Sequence, residues 1–184
     1  MTAYIPRLSA IPYDVFASPA ASVLLPIALG TTVGFSSRPK QTQSPYLAMK
    51  QPPLRPPPQV FGPVWTLLYG LMGYAAHRAV TKYPSALAST DQMRTLYSVQ
   101  LGLNLLWMPL FFGLRRPVLA LADIVSLVGL NGYLTYLYFS VDQAAGWCQV
   151  PYMTWLGFAT YLTAGVGYLN NWDISEGTSA KRVS

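Results

Sequence analysis

Charge is scarce in this chain: Asp, Glu, Lys and Arg make up 10% of its 184 residues, against roughly 25% in an average soluble domain. A soluble protein so poor in charge would struggle to cover its surface, so a membrane is the solvent implied. A single cysteine, Cys148, excludes an intramolecular disulfide and a multi-cysteine metal site. The lone histidine, His77, likewise excludes a metal centre built on histidine. No nucleophile stands with a base and an orienting acid at readable spacing, and there is no glycine-rich phosphate loop. A catalytic set and a required cofactor are therefore not expected. Nor is a cleavable signal peptide: the N-terminus offers only Arg7, and Pro19 and Pro26 interrupt the first apolar run.

What is present is apolar and aromatic. Hydrophobic residues make up 52% and aromatic residues 14%, with 16 prolines and a mean hydropathy of +0.31. The formal charge of +6 comes from twelve Lys and Arg scattered between apolar segments. That distribution suits loops facing lipid headgroups better than a nucleic-acid surface, so membrane lipids are the expected partner and nucleic acid is not.

The stretch that organises the chain is Pro52 to Arg78, PPLRPPPQVFGPVWTLLYGLMGYAAHR. Its proline cluster cannot be helical inside, because proline lacks the N–H donor and fixes φ. From Val64 to Val80 no acidic or basic side chain appears before Arg78. A stiff loop thus feeds into a hydrophobic helix, with Pro63 read as a residue of its first turn.

Along the chain, residues 1–14 read as a loose lead. Residues 15–171 read as an all-α transmembrane domain of five spans, at about 15–35, 60–80, 92–114, 118–140 and 147–170, long enough for a bilayer core of about 30 Å. Residues 172–184 read as a polar, mobile tail. The proline-rich loop from Ser36 to Gln59 is expected to cover one mouth of the bundle. Five spans put the termini on opposite sides. Eight basic residues fall on the side of the first loop, third loop and C-terminus, and four on the other. The positive-inside bias then places the C-terminus in the cytosol.

Helical spacing collects the candidate residues. Trp65, Tyr69, Met72 and Ala76 share a face of the second span, and Gln100, Asn104, Trp107 and Phe111 a face of the third. Trp155, Ala159 and Leu162 share one on the fifth, with Phe158 at its edge. Converging, these faces would make an aromatic-lined cavity with a few amides, suited to a flat apolar ligand with some polar edge. The competing reading of Trp107 and Phe111 is simple packing. Asn104, mid-helix, needs either a partner helix or a ligand. Gly30 and Gly34 let helices approach closely, within the chain or across a homodimer. Asp123 reads as a dipole partner near the start of the fourth helix, and His77 as an interfacial residue.

Three ordered blocks, QVFGPVWTLLYGLMGYA, LGLNLLWMPLFFGLRRP and VPYMTWLGFATYL, resemble the translocator protein family, the peripheral benzodiazepine receptors or tryptophan-rich sensory proteins. The resemblance implies a bundle of five transmembrane helices, often dimeric, that binds protoporphyrin IX, haem, sterols and benzodiazepine-type drugs between the helices under the first loop. It implies Trp65, Asn104, Trp107, Trp155 and Ala159 as ligand-facing positions, with Tyr46 as the tyrosine of a loop Trp-Tyr pair. The family function is that of a carrier, sensor or scavenger of tetrapyrroles or lipids. The alternatives are light-dependent porphyrin degradation through Trp65 and Trp155, and a membrane scaffold with a packed cavity. The eukaryotic home it implies is the mitochondrial outer membrane, with the endoplasmic reticulum as the second choice. Pro45, Leu54 and Gln59 stand where the family's loop carries tryptophan, so weaker stacking on a porphyrin face is expected. The C-terminal sterol pattern fails after Tyr168, leaving only a formal match at Leu71, Tyr74 and Arg78.

Overall fold

The structure is a computed structural model that describes residues 10–37, 49–82 and 87–174, with the backbone alone at 87–89. Among the described residues it is all helical, with six α-helices where five were expected: α1 (Tyr13–Ala17), α2 (Pro19–Ser36), α3 (Pro58–Lys82), α4 (Leu87–Met108), α5 (Pro117–Val141) and α6 (Gln143–Leu169). Helix α4 runs on into a π-helical turn, Pro109–Gly113.

The sixth helix arises because the first apolar run is not one helix. Ser18 adopts an extended conformation, and its Oγ accepts the Ala21 N–H at 3.3 Å, with Pro19 at the first helical position. These are start signals for a helix, so the span expected over 15–35 begins afresh at Pro19. The short α1 folds back across the bundle. Phe16, only 1% exposed, meets the Tyr97 ring edge-on at 5.5 Å. His77 Nδ1–H donates to the Phe16 carbonyl at 2.6 Å, which makes His77 a tether rather than a free interfacial residue. Ser98 Oγ accepts the Ile11 N–H, and Arg94 donates to the Ile11 carbonyl. The described part of the expected loose lead, residues 10–14, is therefore anchored.

Other boundaries move for similar local reasons. Helix α4 begins at Leu87 rather than at 91 or 92. Helix α6 begins at Gln143 because Asp142 caps it, its Oδ1 accepting the Ala144 N–H at 2.9 Å. Pro63 lies in the sixth position of α3, one turn deeper than expected. At the other end, Asn171 and Trp172 are left-handed (φ 54° and 59°), and the Trp172 N–H returns to the Gly167 carbonyl at 2.7 Å. Ile174 is buried in a small cluster with Phe111, Ala120 and Val166. Residues 171–174 thus form a folded helix terminus rather than the start of a mobile tail.

Among the described residues, three helical stretches are long and apolar enough to cross a membrane: Pro19–Ser36, Thr90–Gly113 and Pro117–Val141. Helices α3 and α6 are 25 and 27 residues long, but fall short of that composition. They carry much of the aromatic and polar lining of the interior instead.

Two contacts tie neighbouring helices together. A Cβ on Gly73 of α3 would overlap the Ser22 carbonyl of α2. That carbonyl lacks its usual helical donor because the residue four positions on is Pro26. At the α5–α6 junction, Asp142 Oδ2 accepts from Arg78 Nε at 2.9 Å and lies 3.5 Å from Lys82 Nζ. Burial works against the charged carboxylate there. The Ala144 N–H, Arg78 and Lys82 outweigh it and hold Asp142 below the ordinary carboxylate range.

Candidate functional site

The aromatic residues of α3 and α6 meet around Trp65. Its ring lies 5.4 Å from Tyr69, 6.3 Å from Tyr152 and 6.4 Å from Trp155, the two indoles nearly perpendicular at 86°. Trp155 continues the set, edge-on to Phe61 at 5.8 Å and tilted against Phe158 at 5.7 Å. Phe158 in turn stacks on Tyr161. The i, i+4 and i, i+3 spacings that place Phe61, Trp65 and Tyr69 on one side of α3, and Tyr152, Trp155 and Ala159 on one side of α6, also bring the two sides face to face.

Beneath these rings runs a chain of hydrogen bonds. Tyr69 Oη donates to Asn104 Oδ1 at 2.8 Å, and Asn104 Nδ2 donates to Tyr152 Oη at 2.9 Å. Asn104 of α4 therefore joins α3 to α6, with all three side chains buried. Of the two roles open to this amide, bonding to neighbouring helices is the one the geometry displays. A buried amide in a low-dielectric interior needs such partners.

Trp107 and Phe111 form a second centre nearer the loop end. Their rings stack at 5.0 Å and 11°, with Phe112 edge-on to both. The indole Nε1 of Trp107 is buried with no hydrogen-bond partner among the described residues. Ala159 is half-buried against the main core with Trp65, Trp107 and Trp155. Tyr46 lies outside the described residues.

Gly30 and Gly34, paired in the sequence, separate in space. A Cβ on Gly30 would overlap the Tyr69 ring, so α2 passes directly against the aromatic set. Gly34 faces open space. Asp123 is not at its helix start: it is the seventh residue of α5 and buried, and its Oδ2 has no partner among the described residues. The sequence reading omitted Phe61 and Tyr152. Both lie one helical turn from a tryptophan already chosen, at i−4 from Trp65 and i−3 from Trp155, so extending the same periodicity would have found them.

On the flank of this site, Val64, Leu68, Val150, Pro151, Thr154, Trp155 and Phe158 line a groove of about 660 Å³ between α3 and α6. The one hydroxyl in it, on Thr154, is committed to the Val150 carbonyl. The described part of the first loop lies over the same two helices' far end. Asn170 accepts the Lys50 N–H at 3.2 Å and donates to the Lys50 carbonyl at 2.9 Å, and Tyr161 donates to the Pro53 carbonyl at 3.0 Å. Two of the positions where tryptophan was missed contribute no ring here, since Leu54 is 85% exposed in a left-handed turn and Gln59 is also exposed.

Residues 22–169 match the sequence profile of the TspO/MBR family. The chain belongs to the TspO/MBR family. It is 41% identical over 163 residues to a translocator protein homolog of Schizosaccharomyces pombe, covering 86% of this chain and 98% of that one. It is 34% identical over 150 residues to the tryptophan-rich protein TspO of Archaeoglobus fulgidus, covering 82% and 95%. It is 33% identical over 144 residues to the translocator protein of Homo sapiens, covering 78% and 85%. Membership in the TspO/MBR family and the apolar helices together make this an integral membrane protein. The family match spans every residue of the Trp65 aromatic set and of the Asn104 hydrogen-bond chain.

Proposed function

We propose that this protein binds a flat, largely apolar ligand of the porphyrin kind, protoporphyrin IX or haem, among α3, α4 and α6, and acts as a membrane carrier, sensor or scavenger of such molecules. The observation that carries this reading is the setting of Trp65. It is half-buried amid Tyr69, Tyr152 and Trp155, above a hydrogen-bonded Tyr69–Asn104–Tyr152 chain. Ring faces supply stacking area to a macrocycle, and the phenol and amide groups supply the few polar contacts that fix its orientation. The loop segment held by Asn170 and Tyr161 would restrict exit from that end. All five long helices cross the bilayer in this reading, with the C-terminus on the cytosolic side that carries eight of the twelve basic residues.

The test is a dark titration of detergent-solubilised protein with protoporphyrin IX, followed by tryptophan fluorescence. Trp155→Phe and Trp65→Phe are run beside the parent, with circular dichroism to confirm folding. Saturable quenching that weakens in both variants is the expected result. Quenching that never saturates, or that ignores both substitutions, would remove the porphyrin from this site. Trp65 and Trp155 lie close enough for both to reach one macrocycle, so illumination of the saturated complex then separates a binder from a porphyrin-degrading enzyme. Only the second yields a new product in light.

A further inference from the structure

A cavity of about 500 Å³ opens at the loop end of the bundle, away from the aromatic set, lined by Leu114, Arg115, Arg116, Trp172 and Asp173. It lies where the apolar stretch ending at Gly113 gives way to the one beginning at Pro117. That places it at the edge of the hydrocarbon rather than in bulk water. Arginine and tryptophan are the residues that favour this depth, the first for headgroup phosphates and the second for the apolar–polar boundary.

The cavity's shape is built into the backbone. Arg115, Asn171 and Trp172 all hold positive φ (53°, 54° and 59°); asparagine adopts this conformation readily after a helix end, whereas arginine and tryptophan hold it when their surroundings impose it. The Arg116 N–H returns to the Leu110 carbonyl at 3.1 Å, fixing the turn that carries both arginines. Trp172 packs one face where a Cβ on Gly167 would collide with it, so the indole is held as a wall. The Arg116 side chain is exposed and lines the cavity. Two guanidinium groups against the single carboxylate of Asp173 leave one positive charge in excess. A planar guanidinium matches a phosphate oxygen pair in a way an ammonium does not.

We infer that this cavity binds the phosphodiester headgroup of an anionic phospholipid, with Arg116 as its principal contact and the Trp172 face against the glycerol region. The site is separate from the Trp65 set and does not depend on what that set binds.

The experiment offers purified protein in mild detergent dioleoyl phosphatidylglycerol or dioleoyl phosphatidylcholine at matched mole fractions, and counts retained lipid by native mass spectrometry. Phosphatidylglycerol should be retained over phosphatidylcholine. Arg116→Gln should lower that retention about five-fold, and Arg116→Lys should give an intermediate value. Lys50→Gln removes a charge from the same end without touching the cavity and should leave retention unchanged. Circular dichroism of each variant guards against misfolding. Equal retention in Arg116→Gln and parent, or equal loss in Lys50→Gln and Arg116→Gln, overturns the proposal in favour of diffuse charge. Displacement of phosphatidylglycerol by millimolar inorganic phosphate would also overturn it, assigning the cavity to free phosphate.

Discussion

Asn104 stands between two tyrosines, accepting from Tyr69 at 2.8 Å and donating to Tyr152 at 2.9 Å. One amide from α4 thereby sets the spacing of the two helices that carry the aromatic residues. Asn104→Ala would leave two buried hydroxyls without partners, a loss of about 1–3 kcal/mol. A double-mutant cycle of Asn104→Ala with Tyr69→Phe isolates one bond and should show a coupling of about 0.6 to 1.7 kcal/mol. Denaturation in detergent micelles reads both quantities. A coupling of zero would mean that the amide holds α6 alone.

The two glycines of α2 should respond in opposite ways. Gly34→Ala meets nothing and sits in a helix interior, so it should stabilise by about 0.5–1 kcal/mol through reduced chain entropy. Gly30→Ala drives into the Tyr69 ring, which cannot swing away without giving up Asn104. Gly73→Ala drives into the backbone of Ser22, and backbone yields less readily than a side chain. Both should cost about 1–3 kcal/mol. A dimer built on Gly34 would reveal itself differently: Gly34→Ala would then shift the oligomer in analytical ultracentrifugation.

Asp142 gives the fold a directional response to acid. Its carboxylate is held below the ordinary range, so its contribution to stability is fully present above the unfolded value of about 3.9 and is lost as pH falls through the lower, folded value. The stability gap between parent and Asp142→Asn should therefore be flat from neutrality to about pH 5 and should close below about pH 4. Thermal scans across that range check it. Asparagine can still cap α6, so what the gap measures is the charge facing Arg78 and Lys82. A gap that instead narrowed near neutrality would point to a different group.

How much of this could be read in advance follows from which signals are local. The helical class and the aromatic faces of α3, α4 and α6 rest on periodicity, and the structure does bring Trp65, Tyr69 and Trp155 together. The break at Ser18 was also written locally, in a serine followed by proline, but an apolar run long enough to span a bilayer masked it. Partners were not legible. Nothing in the spacing says that Asn104 reaches Tyr69 and Tyr152 rather than a ligand, because those residues lie 35 and 48 positions away. The same holds for His77, whose partner is a backbone carbonyl 61 residues away. Gly30 and Gly34 looked equivalent because periodicity assigns a face and not a neighbour.

Asn170 should govern how firmly the first loop closes over α6. Its side chain holds the Lys50 backbone from both sides and also donates to the Val166 carbonyl at 2.7 Å, which fixes its own rotamer. Pro52 and Pro53 carry no N–H, so this part of the loop has few backbone donors of its own with which to stay in place. Tyr161, reaching the Pro53 carbonyl, is the second pin. Asn170→Ala removes the first and leaves the second, and a net loss of about 1 kcal/mol predicts roughly five-fold more frequent opening. Hydrogen–deuterium exchange at the Lys50, Gln51, Leu54 and Arg55 amides would report it directly. Tyr161→Phe should act the same way, and the pair together should exceed either alone, because both pins restrain one segment. Porphyrin release provides the functional readout: if the pinned segment bars the exit, dissociation in the dark should quicken in the order in which exchange quickens. Faster exchange with unchanged release would show that the ligand leaves by another route, and the groove between Leu68 and Trp155 would then be the candidate path.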